Sequence, residues 1–329
     1  MKWTERRTMW IKGLFCALVG LCFVLLPLRV QADETKSVTI YGMDSKEGEK
    51  IRIPDHLPQS YQIMADGGEK VSYRIVSGDS AKVSSDGLVT PKYSYWRQDH
   101  NASIPVQEGE PYDYFELNDG DTEIAVETAD RTFHVTVRVE DYAIKYGDDI
   151  MDAYLREEVA EGMDDWELLN AVARFPASYD YSGYYSSAYS MIIYGGGSCF
   201  ASTDAIIILC KKLGIKAWAR NGSQDSGAGG GHVNAMVELN GKYYVLDAGF
   251  SGEKGEDGYR SYDVKVKDSL FSYKFVSGSM VVYQYDGYED TGVLVVPETI
   301  SGRTVDKIDT KAFSGKTFSE IKLPDSLQE

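Results

Sequence analysis

A chain of 329 residues is long enough for two or three domains, and its formal net charge of −17 excludes a nucleic-acid role built on a basic surface. Removing residues 1–32 takes away five basic residues and one acidic one and deepens the charge to −21, which repels anionic membranes and suits solubility outside a cell. Of the four cysteines only Cys199 and Cys210 lie beyond that segment, and eleven helical residues set them about 16 Å apart along an axis, too far for a disulfide.

Residues 1–32 read as a secretory signal. Lys2, Arg6, Arg7 and Lys12 form its basic stretch and Gly13 to Leu28 its apolar core. Val30-Gln31-Ala32 offers small-residue cleavage before Asp33. The apolar run is short for a spanning helix. The expectation is a secreted, extracellular or cell-surface protein with no membrane contact beyond the signal. Export without structural disulfides, but with an unpaired thiol, suits a bacterial surface enzyme.

Residues 33–141 predict an all-β sandwich. Alternating runs fall at Val38–Tyr41, Val71–Val76 and Thr132–Val139, with turn residues at Gly67-Gly68 and Asp86-Gly87 and no long apolar helix between. The stretch from Tyr93 to Asn118 is longer and more aromatic than such a pattern needs, and reads as a surface excursion or a contact loop. Two helices are predicted next. One spans about Asp149 to Gly162; the other opens at Asp164, with Glu167 three residues on in a capping-box pattern, and stops before Pro176. The tyrosine-rich PASYDYSGYYSSAYSMIIY that follows is either an aromatic wall for a cleft or a loop folded on its own surface.

The chemistry concentrates in what comes after. Glycines precede Cys199, and the apolar run Ala205 to Leu209 makes a buried helix ending near Gly214. Cys199 therefore sits in the first helical turn. A free thiol has a pKa of about 8.5, and a helix N-terminus or an imidazolium lowers it to roughly 3.5–7.5. Asn240-Gly241 then predicts a two-residue hairpin turn pairing Leu239 with Lys242. In that register Asn234 faces Asp247 and His232 faces Gly249, so His232 and Asp247 are diagonal neighbours on one face. The opposite face, Val233, Ala235, Val237, Leu239, Tyr244, Leu246 and Ala248, is apolar but for one hydroxyl. The pattern points to a nucleophile, a base and an orienting carboxylate: Cys199, His232 and Asp247. Cys, His and Asp also ligate zinc, but no second Cys or His lies at ligand spacing, so no metal or other cofactor is expected.

These residues carry a resemblance. With GGGSC at Cys199, KKLGIKAWA after the helix, His232, NGKYY in the turn and Asp247 closing the hairpin, residues 148–270 resemble the bacterial, secreted transglutaminase-like domains. The resemblance implies an α+β, papain-like core and amide chemistry at Cys199, His232 and Asp247. Asn234 and Tyr243 stand where that family usually has Trp. Ser198, Asn234 and Tyr194 are the expected substrate contacts. Upstream, SYRIVSGDSAKVSSDGLVTPK and GDTEIAVETADRTFHVTVRV resemble a bacterial Ig-like domain.

Over residues 280–329, Val295-Val296-Pro297 and Lys322-Leu323-Pro324 repeat 27 residues apart, and with GRTVDKIDTKAFSG between them resemble BspA-type leucine-rich repeats. Repeats of this kind need about three copies to be stable. Fewer than two are present, so the expectation is a protein continuing past Glu329 or a capped remnant. The whole is thus read as multidomain: sandwich, papain-like core, partial repeat. Two classes of function follow. One is a cysteine peptidase or a cross-linking acyltransferase acting on a protein or peptide. The other is a surface adhesion protein binding a cell-surface or host partner through its flanks, for which the triad would be superfluous.

Overall fold

The computed structural model describes residues 36–64, 71–129, 131–222, 231–248 and 252–328. The signal segment, the turn at Gly67-Gly68, Gly249 and residues 223–230 of the glycine-rich loop lie outside the described residues. The chain divides into two compact units, one ending at Asp149 and the other beginning at Ile150.

In the first unit, strands β1 (Lys36–Gly42), β2 (Tyr61–Gln62), β3 (Ser72–Ser77), β4 (Ala81–Val83) and β5 (Leu88–Pro91) are followed by β6 (Tyr93–Asp99), β7 (Ala102–Val106), β8 (Tyr114–Leu117), β9 (Gly120–Glu127) and β10 (Thr132–Asp141). One sheet has the order β1-β10-β9-β3, with β1 parallel to β10; a second has the order β2-β5-β4. Period-two patterning drives both. In β10, Val135, Val137 and Val139 are buried while Arg138 is exposed and bonds Asp121 on β9 at 2.8 and 3.0 Å. Those valines share one core with Val89 of the smaller sheet and with Ile63, just after β2. The aromatic stretch is itself a three-stranded sheet, β7-β6-β8, knit by ring contacts such as Tyr93–Phe115 at 5.1 Å.

Helix α1 (Tyr142–Glu158) begins directly from β10, seven residues before the sequence pattern suggests. The Asp141 carboxylate accepts the Ala143 N–H at 2.8 Å and starts the helix early. Helix α2 (Asp165–Ala177) has the full capping box between Asp164 and Glu167, but runs through Pro176 rather than stopping before it. Its end is satisfied by Arg260. That residue's guanidinium donates to the Tyr179 and Pro176 carbonyls at 2.7 and 2.9 Å, and its own N–H donates to Ala177 O at 2.8 Å.

Beyond α2 come β11 (Asp180–Tyr181), α3 (Ala188–Tyr194), β12 (Gly196–Gly197) and α4 (Cys199–Lys212). Strands β13 (Lys216–Asn221), β14 (Val233–Leu239), β15 (Lys242–Asp247) and β16 (Asp263–Lys267) form an antiparallel sheet in chain order. The second unit is thus a mixed α/β structure. It continues with β17 (Phe271–Val276) and β18 (Ser279–Tyr285), a hairpin unmarked in the sequence pattern. This hairpin shares one core, through Phe271, Met280 and Val282, with Leu294, Ile300 and Val305 downstream.

The 27-residue offset is a physical stacking. Strand β19 (Val293–Val295) pairs in parallel with Glu320–Lys322, each residue opposite the one 27 positions later. Side chains follow the same offset: Thr317 Oγ1 donates to Asp290 O at 3.1 Å and Ser319 Oγ to Gly292 O at 2.9 Å.

Helices α3 and α4 approach closely at Gly197. A Cβ there would lie 2.6 Å from Ala201 Cβ and 2.9 Å from Met191 Cβ. Gly197→Ala should therefore destabilise the unit by about 1–3 kcal/mol, a fall of roughly 2–10 °C in the melting temperature. An unchanged thermal transition would show that the helices do not meet there.

Candidate active site

The three helices that lead to Cys199 begin differently. Asp164 caps α2 and the Ser187 hydroxyl caps α3, whereas Ser198 at the head of α4 makes no side-chain cap bond. The first N–H groups of α4 are thus left for another acceptor. No acidic residue lies in that turn, and Lys211 and Lys212 sit at the other end, so the helix dipole is unopposed at Cys199. The Ser198 N–H donates to Tyr185 O at 2.8 Å. Its buried hydroxyl has no hydrogen-bond partner among the described residues. Tyr185 stacks on Tyr194 with centroids 4.3 Å apart, so this aromatic pair lies beside the cysteine turn. Cys199 keeps 8% exposure, whereas Cys210 has none and burial pushes its thiol up to about 12.

The hairpin adopts the register expected from its turn, from Leu239 opposite Lys242 to Ala235 opposite Leu246. Asn240 and Gly241 both have positive φ, as a tight hairpin turn of this hand requires. His232 Nε2 lies 2.6 Å from Asp247 Oδ2, and the ring is buried. Helix α4 is tied to this strand by Thr203, whose hydroxyl donates to Val233 O at 3.2 Å. Thr203 is one helical turn beyond Cys199 on the same face, and Val233 is next to His232, so the helix that carries the thiol and the strand that follows the imidazole meet at one corner of the unit. Gly222 leaves space for that corner: a Cβ there would lie 2.5 Å from Asn234 Nδ2 and 3.0 Å from His232 Cδ2.

Asn234 is 1% exposed. It sits behind the carboxylate, donating to Asp247 Oδ2 at 3.1 Å and accepting from Arg220 Nη1 at 3.2 Å. Arg220 is buried with Asp286, their charged atoms 3.3 Å apart. Lys267 Nζ reaches Asp286 at 2.6 Å, and Ser272 Oγ donates to it at 2.5 Å. Burial pushes the Asp286 carboxyl up, but Arg220, Lys267 and Ser272 outweigh it and hold the group below its ordinary range. Arg260 lies under α4, its guanidinium also 3.2 Å from Ser202 Oγ, and burial lowers its pKa.

Sequence reasoning missed Arg220, Arg260 and Asp286. A charged residue in a strand or loop reads as solvated unless its partner is known. The one available signal was register, since Arg220 directly faces Asn234 across β13 and β14. Among the described residues no group of three or more His, Cys, Asp or Glu side chains is placed to hold a metal, and no helix is long and apolar enough to cross a membrane.

No protein-family model matches the sequence, and no curated protein sequence does. Several solved structures are similar in part, and two illustrate the likeness. One is a transglutaminase, 15% identical with a TM-score of 0.29 over 34% of each chain, so this chain spans about a third of its length. The other, a candidate cysteine protease from Cytophaga hutchinsonii, is 13% identical with a TM-score of 0.27, over 57% of this chain and 69% of that one. Superpositions this loose carry no chemistry, which rests on the geometry above.

Iodoacetamide should label Cys199 and leave Cys210 untouched in the folded protein, with Cys210 reacting only in denaturant. Peptide mapping by mass spectrometry checks this. Equal native labelling at both sites would remove the distinction between them.

Proposed function

We propose that the chain is a cysteine hydrolase or acyltransferase acting on amide bonds, a peptidase before a cross-linking enzyme. The observation that supports this most directly is the 2.6 Å bond from His232 Nε2 to Asp247, in the same corner as an uncapped helix N-terminus bearing Cys199. A carboxylate only accepts, so Nε2 carries the ring hydrogen and Nδ1 is the basic nitrogen. His232 Nδ1 takes the Cys199 thiol proton, and Sγ attacks the substrate carbonyl carbon. The resulting oxyanion accepts hydrogen bonds from the Cys199 N–H and the Ser198 hydroxyl. Collapse breaks the C–N bond, and the leaving amine takes the proton from His232. A thioester remains. Water, giving its proton to His232, releases a carboxylic acid; an amine in place of water gives a new amide. The Tyr185–Tyr194 pair supports a protein or peptide substrate gripped through aromatic contacts beside the nucleophile.

The proposed setting is outside a bacterial cell, on the strength of residues 1–32. The two β-sheets over one core support an Ig-like module at the N-terminus, and the 27-residue ladder supports a leucine-rich repeat at the C-terminus. Both flanks then serve to hold the enzyme near a surface protein.

Peptide hydrolysis and amine incorporation, measured side by side, separate the two acyl acceptors. Cys199→Ala should abolish both while leaving the fold intact; activity persisting there would rule out the nucleophile. Ser198→Ala should lower kcat by about 10²–10³-fold, the usual cost of one oxyanion donor.

Asp247→Asn should lower kcat roughly ten- to a thousandfold, less than in serine enzymes because a Cys–His pair already shares its proton. His232→Ala should be more damaging and move the pH profile of Cys199 alkylation to higher pH. Superimposable profiles in wild type and both variants would mean that the three residues do not communicate.

A further inference from the structure

We propose that Asn234, Arg220 and Asp286 form a positioning relay for Asp247, which makes the β17–β18 hairpin part of the catalytic apparatus. The inference rests on Asp247 being the carboxylate of the triad. It begins with the Asn234 amide, whose two ends are both used. Arginine can only donate and a carboxylate can only accept, so the amide oxygen must face Arg220 and the amide nitrogen Asp247. Asp247 Oδ2 therefore receives two donors, His232 Nε2 and Asn234 Nδ2, at 2.6 and 3.1 Å. One donor leaves a carboxylate free to rotate. Two donors, from His232 just before β14 and Asn234 within it, hold its plane, and that plane aims the imidazole.

Arg220 strengthens the arrangement. Its charge polarises the amide it bonds and makes Nδ2–H a better donor to Asp247. The guanidinium is 2% exposed, and a charge so buried is strongly destabilising unless paired. Its counter-ion comes from outside the four-stranded sheet. Asp286 follows β18, and its side chain is fully buried. Its backbone is held in place as well: Trp218 Nε1 donates to Asp286 O at 2.7 Å, and the Asp286 N–H donates to Leu270 O at 2.7 Å. Ser272 of β17 completes the shell, accepting from Arg220 Nη2 at 2.9 Å while donating to Asp286. The line Asp286–Arg220–Asn234–Asp247–His232 is thus an unbroken series of hydrogen bonds from the hairpin to the imidazole. The other charged groups close to this series are Arg260, whose charge acts on Asp247, and Lys267 of β16 beyond Asp286.

The test compares the full chain with Asn234→Ala and with the double variant Arg220→Met/Asp286→Leu. The double variant removes both buried charges together, so neither is stranded, and the partly exposed Lys267 can turn to water. Peptide hydrolysis and the pH profile of Cys199 alkylation are read in each. The relay requires kcat about ten- to a hundredfold lower in both variants, as for partners that orient a reactive group from behind. It also requires KM within twofold and an alkylation profile moved to higher pH. Combining all three substitutions should cost less than the product of the separate losses. Folded variants with wild-type kcat and an unmoved alkylation profile would overturn the relay while Asp247→Asn still lowers kcat. Asp247→Asn with wild-type activity would instead overturn the triad.

Discussion

The hairpin turn at Asn240-Gly241 is the constraint on which the site depends. Side chains alternate across a strand, so a slip of one residue would send His232 to one face and Asp247 to the other. The turn prevents that slip because both of its residues take positive φ, which asparagine and glycine tolerate better than other residues. The apolar face supports the same register: Ala235, Val237 and Leu246 are fully buried. The Tyr244 hydroxyl, on that face, donates to Asp165 of α2 at 3.0 Å, and Asn240 Nδ2 donates to the same carboxylate at 2.6 Å. The sheet is thus anchored to the helix layer at the very end where its register is set.

Two buried arginines show two ways of keeping a cation inside this unit. Arg220 is neutralised by a carboxylate, Asp286, and the pair lies in a shell of polar side chains. Arg260 is 1% exposed and donates to carbonyls at the C-terminal end of α2, the negative end of its dipole, with the charges of Asp180 and Asp247 acting on it as well. The consequences differ. The first ties the sheet to the hairpin beyond it. The second ties residues near 260 to α2 and, through Ser202, to the turn of α4 next to Cys199. One guanidinium thus holds the sheet side of the candidate site and the other its helix side.

The two cysteines of α4 share a helix but not an environment. Cys210 is sealed in the apolar interior, where a thiolate would have no solvation, and its proton is held tightly. Cys199 lies in the first turn, among N–H groups that no side chain caps. Helix position, not residue type, sets the two environments apart.

Local chemistry was legible in the sequence because it depends on neighbours in the chain. The capping box at Asp164, the helix opening at Cys199, the turn at Asn240 and the face shared by His232 and Asp247 all follow from spacing and from backbone preferences. So does the 27-residue offset, which the structure realises as a parallel ladder. Early initiation of α1 at Asp141, passage of α2 through Pro176 and the β17–β18 hairpin were not legible, because each depends on a partner distant in the chain or on a cap masked by a strand pattern. Asn234 makes the point most directly. By sequence it was a polar residue near the base and a candidate for substrate. Its burial and its bonds to Arg220 and Asp247 place it behind the carboxylate instead. The sequence alone determined which side chains share a strand face, since alternation is a property of the backbone. Only the tertiary structure decided which charges are buried and what neutralises them, since Arg220 and Asp286 lie 66 residues apart and only folding brings them together.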